Sequence, residues 1–290
     1  MTATSTTTYP GSGLTLTADV AGNPDDPAVL LFHGGGQTRH SWGTTVRSLA
    51  AAGFYVGSVD LRGHGESDWS PTGDYRLDAF ADDVTSVARR FDRPVMVGAS
   101  LGGVASLAAC GRTVNADLAR GLVLVDVGPH IEIDGANRIG SFMAEHLESG
   151  FATLDEVADA IQRYNPHRPR PSHLDGLRKN LRHRDGRWYW HWDPAFITGR
   201  MGSTDETRIT TDGFGGQRAM LEAAARAIHI PTMLVRGRES DLLSEQGARD
   251  FLELVPHAEF VDVAGAGHMV AGDRNDVFND AIVGFVTRLG

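Results

Sequence analysis

The chain has a single cysteine, Cys110, among its 290 residues. No disulfide can form within it, and a lone cysteine in a small-residue helical pattern reads as a buried hydrophobe rather than a reactive thiol. No apolar run is long enough to span a membrane. Residues 1–9 are Thr-rich, with neither a basic start nor an apolar stretch, so no secretory signal is expected and a cytoplasmic location is the default. Positive charge is not in excess. The formal net charge is −10, which argues against nucleic-acid or anionic-membrane partners. Internal repeats are lacking too. What remains, 41% hydrophobic and 22% charged, is ordinary for a globular protein, and the length allows one large α/β domain or a core with an insertion.

Short apolar runs alternate with helical patterns over the first part of the chain. Leu14 to Val20 has the period of a half-exposed strand. Ala28 to Phe32 is apolar throughout, as suits a strand buried on both faces, and ends in His33-Gly34-Gly35-Gly36. A helix is expected over 38–52, a strand over 54–59, a helix over 77–91 and a strand over 122–127. From about His130 to Ala227 the rhythm breaks. This stretch holds helical patterns at 142–147 and 154–164, a Pro- and Arg-rich tract at 165–172, and the aromatic cluster Trp188-Tyr189-Trp190-His191-Trp192. Alternation resumes with strands at 230–235 and 259–263 and helices at 244–254 and 273–289. Such alternation on both sides of an irregular segment predicts a mostly parallel sheet flanked by helices, with an inserted, mainly helical cap. The expected division is a core of 1–129 and 228–290 with a cap of 130–227.

The chemistry centres on Val95 to Gly103, where a β-branched run ends in Gly98-Ala99-Ser100-Leu101-Gly102 and a small-residue helix follows. Strand, sharp turn and helix put the Ser100 hydroxyl above the sheet, and glycines two residues before and after it relieve the crowding. A serine hydroxyl needs a base, and histidine is the usual one. Among the 12 histidines, His268 stands out because it follows Gly265-Ala266-Gly267 after the last strand. His33, at a strand end, and His64, in a polar turn, read as supports. The acid has two candidates, Asp241 and Asp126. Both follow apolar strands, and the order serine, acid, histidine admits either. Asp241 is preferred because its strand leads directly to the one before His268. The N–H groups of Leu101 and Gly35 are expected to bind an oxyanion. A nucleotide-loop reading of His33 to Gly36 lacks the required Lys-Ser/Thr. Trp190 and His191 are candidate substrate contacts.

Taken in order, four motifs resemble those of the α/β-hydrolase superfamily: His33-Gly34 with Trp42 downstream, Asp60-Leu61-Arg62-Gly63-His64-Gly65-Glu66-Ser67, Gly98-Ala99-Ser100-Leu101-Gly102-Gly103, and Gly265-Ala266-Gly267-His268. The resemblance covers about 14–129 and 229–289. It implies the α/β-hydrolase fold and a Ser100–Asp241–His268 triad, although Asp241 lies four residues after Gly237 where the family's acid often lies three after. It further implies a cofactor-free, metal-free serine esterase that cleaves a small or medium-sized ester through an acyl-enzyme. The alternatives are a carbon–carbon-bond hydrolase with the same triad, or a non-catalytic member that binds a small apolar ligand.

Overall fold

Ala28–Phe32, Val95–Ala99 and Gly121–Val125 are strands with every residue buried. Runs this apolar have no side to show to water, so they belong at the centre of a sheet covered on both faces. In the computed structural model they stand side by side, fourth, fifth and sixth across one sheet of eight strands, ordered β1-β2-β4-β3-β5-β6-β9-β10. The structure describes residues 4–166, 170, 173–199, 211–269 and 274–290. The strands are β1 Ser5–Pro10, β2 Thr15–Ala21, β3 Ala28–Phe32, β4 Tyr55–Val59, β5 Val95–Ala99, β6 Gly121–Val125, β9 Thr232–Gly237 and β10 Glu259–Val263. A separate hairpin holds β7 Leu181–Arg184 and β8 Arg187–Trp190. Pairing is parallel from β4 to β10 and antiparallel only at β1–β2 and β2–β4. The chain therefore has the α/β-hydrolase fold.

The helices are α1 Gly43–Ala51, α2 Leu77–Ala88, α3 Ser100–Cys110, α4 Ile133–Ala144, α5 Leu154–Tyr164, α6 Pro194–Thr198, α7 Thr211–Arg226, α8 Glu245–Leu254 and α9 Asn279–Arg288. Strand pleating divides the core. Val29, Leu31, Val123 and Val125 face α1 and α9, while Leu30, Phe32, Leu122 and Leu124 face the layer that includes α2, α3 and α8. Cys110 is buried at the end of α3, and burial pushes its thiol up to about 12.

Three elements differ from the sequence expectation, the first being the helix expected over 142–147, which runs instead as α4 Ile133–Ala144. The Thr-rich start is an edge strand, β1, in which exposed Thr6 and Thr8 alternate with half-buried Thr7 and buried Tyr9, so it has strand period without an apolar run. The stretch between β6 and β9 contains the β7–β8 hairpin as well as helices, and its last helix, α7, packs along α3 and α8.

Candidate active site

Strand β5 runs into α3 with no residue between them, and Ser100 turns the corner at φ +45°. That left-handed conformation costs a serine energy and is held by close packing on either side. A β-carbon on Gly98 would lie 2.4 Å from the Gly102 carbonyl oxygen, and one on Gly102 would lie 2.5 Å from that of Phe32. Only glycine fits at either place, as the sequence pattern expects. The Gly102 N–H donates to the His33 carbonyl at 3.1 Å, which ties the elbow to the loop after β3. Leu101 is the second residue of α3, so its N–H is among the first-turn donors with no acceptor within the helix.

His268 stands in the loop after β10. That loop folds back over the end of β9, where the N–H groups of Arg238 and Glu239 donate to Val263 and Ala266 at 2.9 Å each. This brings the imidazole to Asp126, where Nδ1 donates to Oδ2 at 2.7 Å with both side chains buried. The carboxylate has other donors. The Gly237 N–H reaches Oδ1 at 3.0 Å and the Ser240 hydroxyl reaches Oδ2 at 2.8 Å. Asp126 itself is held at φ +55°, with its N–H on the Val235 carbonyl at 2.7 Å. With Nδ1 carrying the proton, Nε2 is left as an acceptor.

The expectation that Asp241 sits beside His268 is therefore corrected. Asp241 accepts from Arg138 of α4 at 2.6 Å and is about a third exposed. Sheet order is the physical reason. Strand β6 lies between β5 and β9, so its end opens between the elbow and the returning β10 loop. The loop after β9 spends its inward position on Ser240 and turns Asp241 outward towards α4. Ser240 was missed by the sequence reading. Its side chain donates to Asp126 and accepts from the N–H groups of Leu242 and Leu243 at 3.2 and 3.1 Å. Nothing in its local sequence marks it.

Ser100, Leu101, Gly35 and His268 line one cavity of about 140 Å³. Its other walls are mainly apolar: Met143 and Ile139 from α4, Phe196 from α6, Leu221 from α7, with Gln217 and Arg218 adding polar groups. Trp190 and His191 are absent from this lining, a second correction. Trp190 stacks on Trp192 at 4.8 Å between centroids and donates its indole N–H to the Glu145 carbonyl at 3.1 Å. His191 donates from Nε2 to the Gly36 carbonyl at 3.2 Å and accepts the Gly65 N–H on Nδ1 at 2.8 Å. Burial, then the neighbouring His64, hold it well below the usual histidine range. These residues buttress the loop that carries Gly35 from behind, because the aromatic run has one inward face and that face meets packed protein. His33 is a support, donating from Nδ1 to the Gly34 carbonyl at 2.7 Å and accepting the Leu61 N–H at 3.0 Å. Among the described residues no group of three or more His, Cys, Asp or Glu side chains is placed to hold a metal ion.

Comparison with known proteins finds hydrolases. The model of the "Alpha/beta hydrolase family" matches residues 29–281. An esterase of Mycobacterium tuberculosis is 30% identical over 258 residues, covering 86% of this chain and 78% of its own. The 3-hydroxybutyrate-oligomer hydrolase of Cupriavidus necator is 28% identical, covering 85% and 84%. The 2-(acetamidomethylene)succinate hydrolase of Mesorhizobium japonicum is 27% identical, covering 93% and 92%. A crystal structure of an E-2-(acetamidomethylene)succinate hydrolase superposes with a TM-score of 0.79 at 24% identity, over 98% of this chain and 99% of that one.

Proposed function

The chain belongs to the alpha/beta hydrolase family, and from that premise we propose that this hydrolase is a serine esterase cleaving a small or medium-sized carboxylic ester through an acyl-enzyme. The observation that carries the reading is the 2.7 Å bond from His268 Nδ1 to buried Asp126, with His268 and Ser100 on one cavity. Ser100 attacks the ester carbonyl while its proton passes to Nε2 of His268. Asp126 fixes the imidazole by its Nδ1–H and stabilises the imidazolium that forms. The N–H groups of Leu101 and Gly35 receive the oxyanion. His268 then gives its proton to the leaving alkoxide, and water, activated by the same imidazole, releases the acid.

Relatives described as an esterase and as a 3-hydroxybutyrate-oligomer hydrolase favour an ester over a carbon–carbon bond. The cavity size favours a short group beside the reacting carbonyl. At about 140 Å³ it is below the roughly 300–1,000 Å³ of drug-sized sites. The test is a panel of p-nitrophenyl esters of increasing acyl length, with a vinylogous diketone in parallel, on wild type and Ser100→Ala. The expected result is a p-nitrophenol burst strongest with short acyl chains, and a loss of at least about 10³-fold in Ser100→Ala. Less than about tenfold loss overturns the nucleophile assignment, and turnover of the diketone alone overturns the ester.

A further inference from the structure

A second hollow, of about 670 Å³, opens between core and insertion, where the start of α1 and the turn 38–41 meet the 3-10 turn Asp175–Asn180. Its lining holds Arg39, His40, Arg47, Lys179 and Arg274 against one carboxylate, Asp19. In a chain of net charge −10 this is a local reversal of sign. Some of the charge is already matched. Arg39 is paired with Asp19, Asp60 and Glu66, and His40 with Asp19. Arg274 is paired with Asp276, which also caps α1 through the N–H groups of Thr44 and Thr45. Arg47 and Lys179 have no carboxylate in ion-pair reach among the described residues.

The arrangement of the two arginines is the sharper observation. Arg47 and Arg274 both donate from Nη2 to the same hydroxyl oxygen, that of Thr44, at 3.0 and 2.9 Å. A β-carbon on Gly43 would lie 3.6 Å from a guanidinium nitrogen of Arg47 and 3.9 Å from one of Arg274, so both guanidinium groups flank this glycine. Two like charges converge on one point of the groove, where Asp276 pairs with Arg274 and leaves Arg47 unmatched, and Lys179 lines the groove from the insertion. An anion there would relieve the repulsion. A carboxylate brings one charge and a single plane, whereas a phosphate brings about two charges and oxygens in several directions, matching guanidinium forks and an ammonium together.

We propose that this groove binds a phosphate or diphosphate group carried on a small molecule, held by Arg47 and Arg274 from the core and by Lys179 from the insertion. The bound group would tie the insertion to the core away from Ser100, and the site stands whatever bond the enzyme cleaves. Lys179 is the only lysine in the sequence, so it can be followed chemically without interference from another side-chain amine.

Inorganic pyrophosphate is the probe, titrated calorimetrically at constant ionic strength so that general screening is held fixed. One saturable site is expected, weakened at least tenfold by Arg47→Gln and by Lys179→Gln. Both side chains are exposed, so an unchanged melting temperature without ligand will verify that the variants fold. Pyrophosphate should also slow acylation of Lys179 by an amine reagent, read by peptide mapping, whereas sodium chloride of equal ionic strength should not. No saturable binding, saturable binding that both variants retain, or acylation of Lys179 unaffected by pyrophosphate would each overturn the proposal.

Discussion

Asp126 and Asp241 are chemically the same and differ in what surrounds them. Asp126 is buried and accepts from three donors, one of them His268. Asp241 is about a third exposed and holds one arginine. On the proposed mechanism Asp126→Asn offers an amide where Nδ1–H needs a carboxylate, and kcat should fall on the order of 10⁴-fold in a folded protein. Asp241→Asn removes a surface ion pair worth about 0–1 kcal/mol and should leave kcat within about twofold. Steady-state kinetics on both variants decide the pair, and the reverse pattern would return the acid to Asp241. Ser240→Ala makes a subtler test. It takes one donor from Asp126 and one acceptor from two N–H groups of the β9 loop. A fall of roughly tenfold in kcat with little change in KM is expected, since orientation of His268 is lost and not substrate contact. A change confined to KM would exclude the positioning role.

The aromatic hairpin and the short helix α6 illustrate how neighbouring elements take different tasks. Trp190, on β8, is sandwiched among Trp192, Phe142 and Phe151. Phe196, on α6, reaches the cavity with Ser100. Truncating a buried aromatic costs about 3–5 kcal/mol when cut to alanine, and less when leucine refills part of the space. Trp190→Leu should therefore lower the denaturant midpoint and leave the order of preference among ester substrates unchanged. Phe196→Leu should change that order, with acyl chains longer than the wild-type optimum gaining most in kcat/KM. Unfolding curves and the ester panel, run on both variants, separate packing from selectivity. If Trp190→Leu reorders the panel and Phe196→Leu does not, the cavity wall has been assigned to the wrong element.

The whole molecule carries a pH liability beneath its candidate site. His33, His64 and His191 form a buried row, with ring centroids 5.3 and 5.7 Å apart. Burial lowers His33 from its ordinary 6.5 to about 4 and drives His191 in the same direction. Below pH 6.5 the unfolded chain takes up protons that the native state refuses, so native stability falls as pH drops towards 4. His33 by itself is worth about 2 kcal/mol of this loss by pH 5 and about 3 by pH 4. Carboxylates held low, such as Glu222 near 2, add their loss only below their ordinary 4.5. Urea unfolding at pH 7 and pH 5 should show the drop, and His191→Asn should lessen it while leaving the share that belongs to His33. Stability that stays level across that interval would mean that His33 and His191 take up protons in the native state as readily as in the unfolded chain.

Much of this protein was written locally. Ala28–Phe32 and Glu259–Val263 are strands over the expected residues, because an apolar run between turn residues has one stable use. The Gly98–Gly102 elbow was legible because it is a steric demand met within five residues. His268 was legible from its glycine-rich loop after the last strand. The partner of that histidine was not, since the Asp126–His268 bond joins positions 142 residues apart. Two aspartates, each after an apolar strand, look alike until the sheet order sets β6 between β5 and β9. The pocket walls were hidden for the same reason. Trp190 and Phe196 are both large aromatics of the same stretch, and which of them meets Ser100 depends on how the insertion folds back. Turn chemistry and hydrophobic period act between near neighbours and are fixed by the sequence. The lateral order of strands and the docking of the insertion are set by burial summed over the whole chain, and only the tertiary structure decides them.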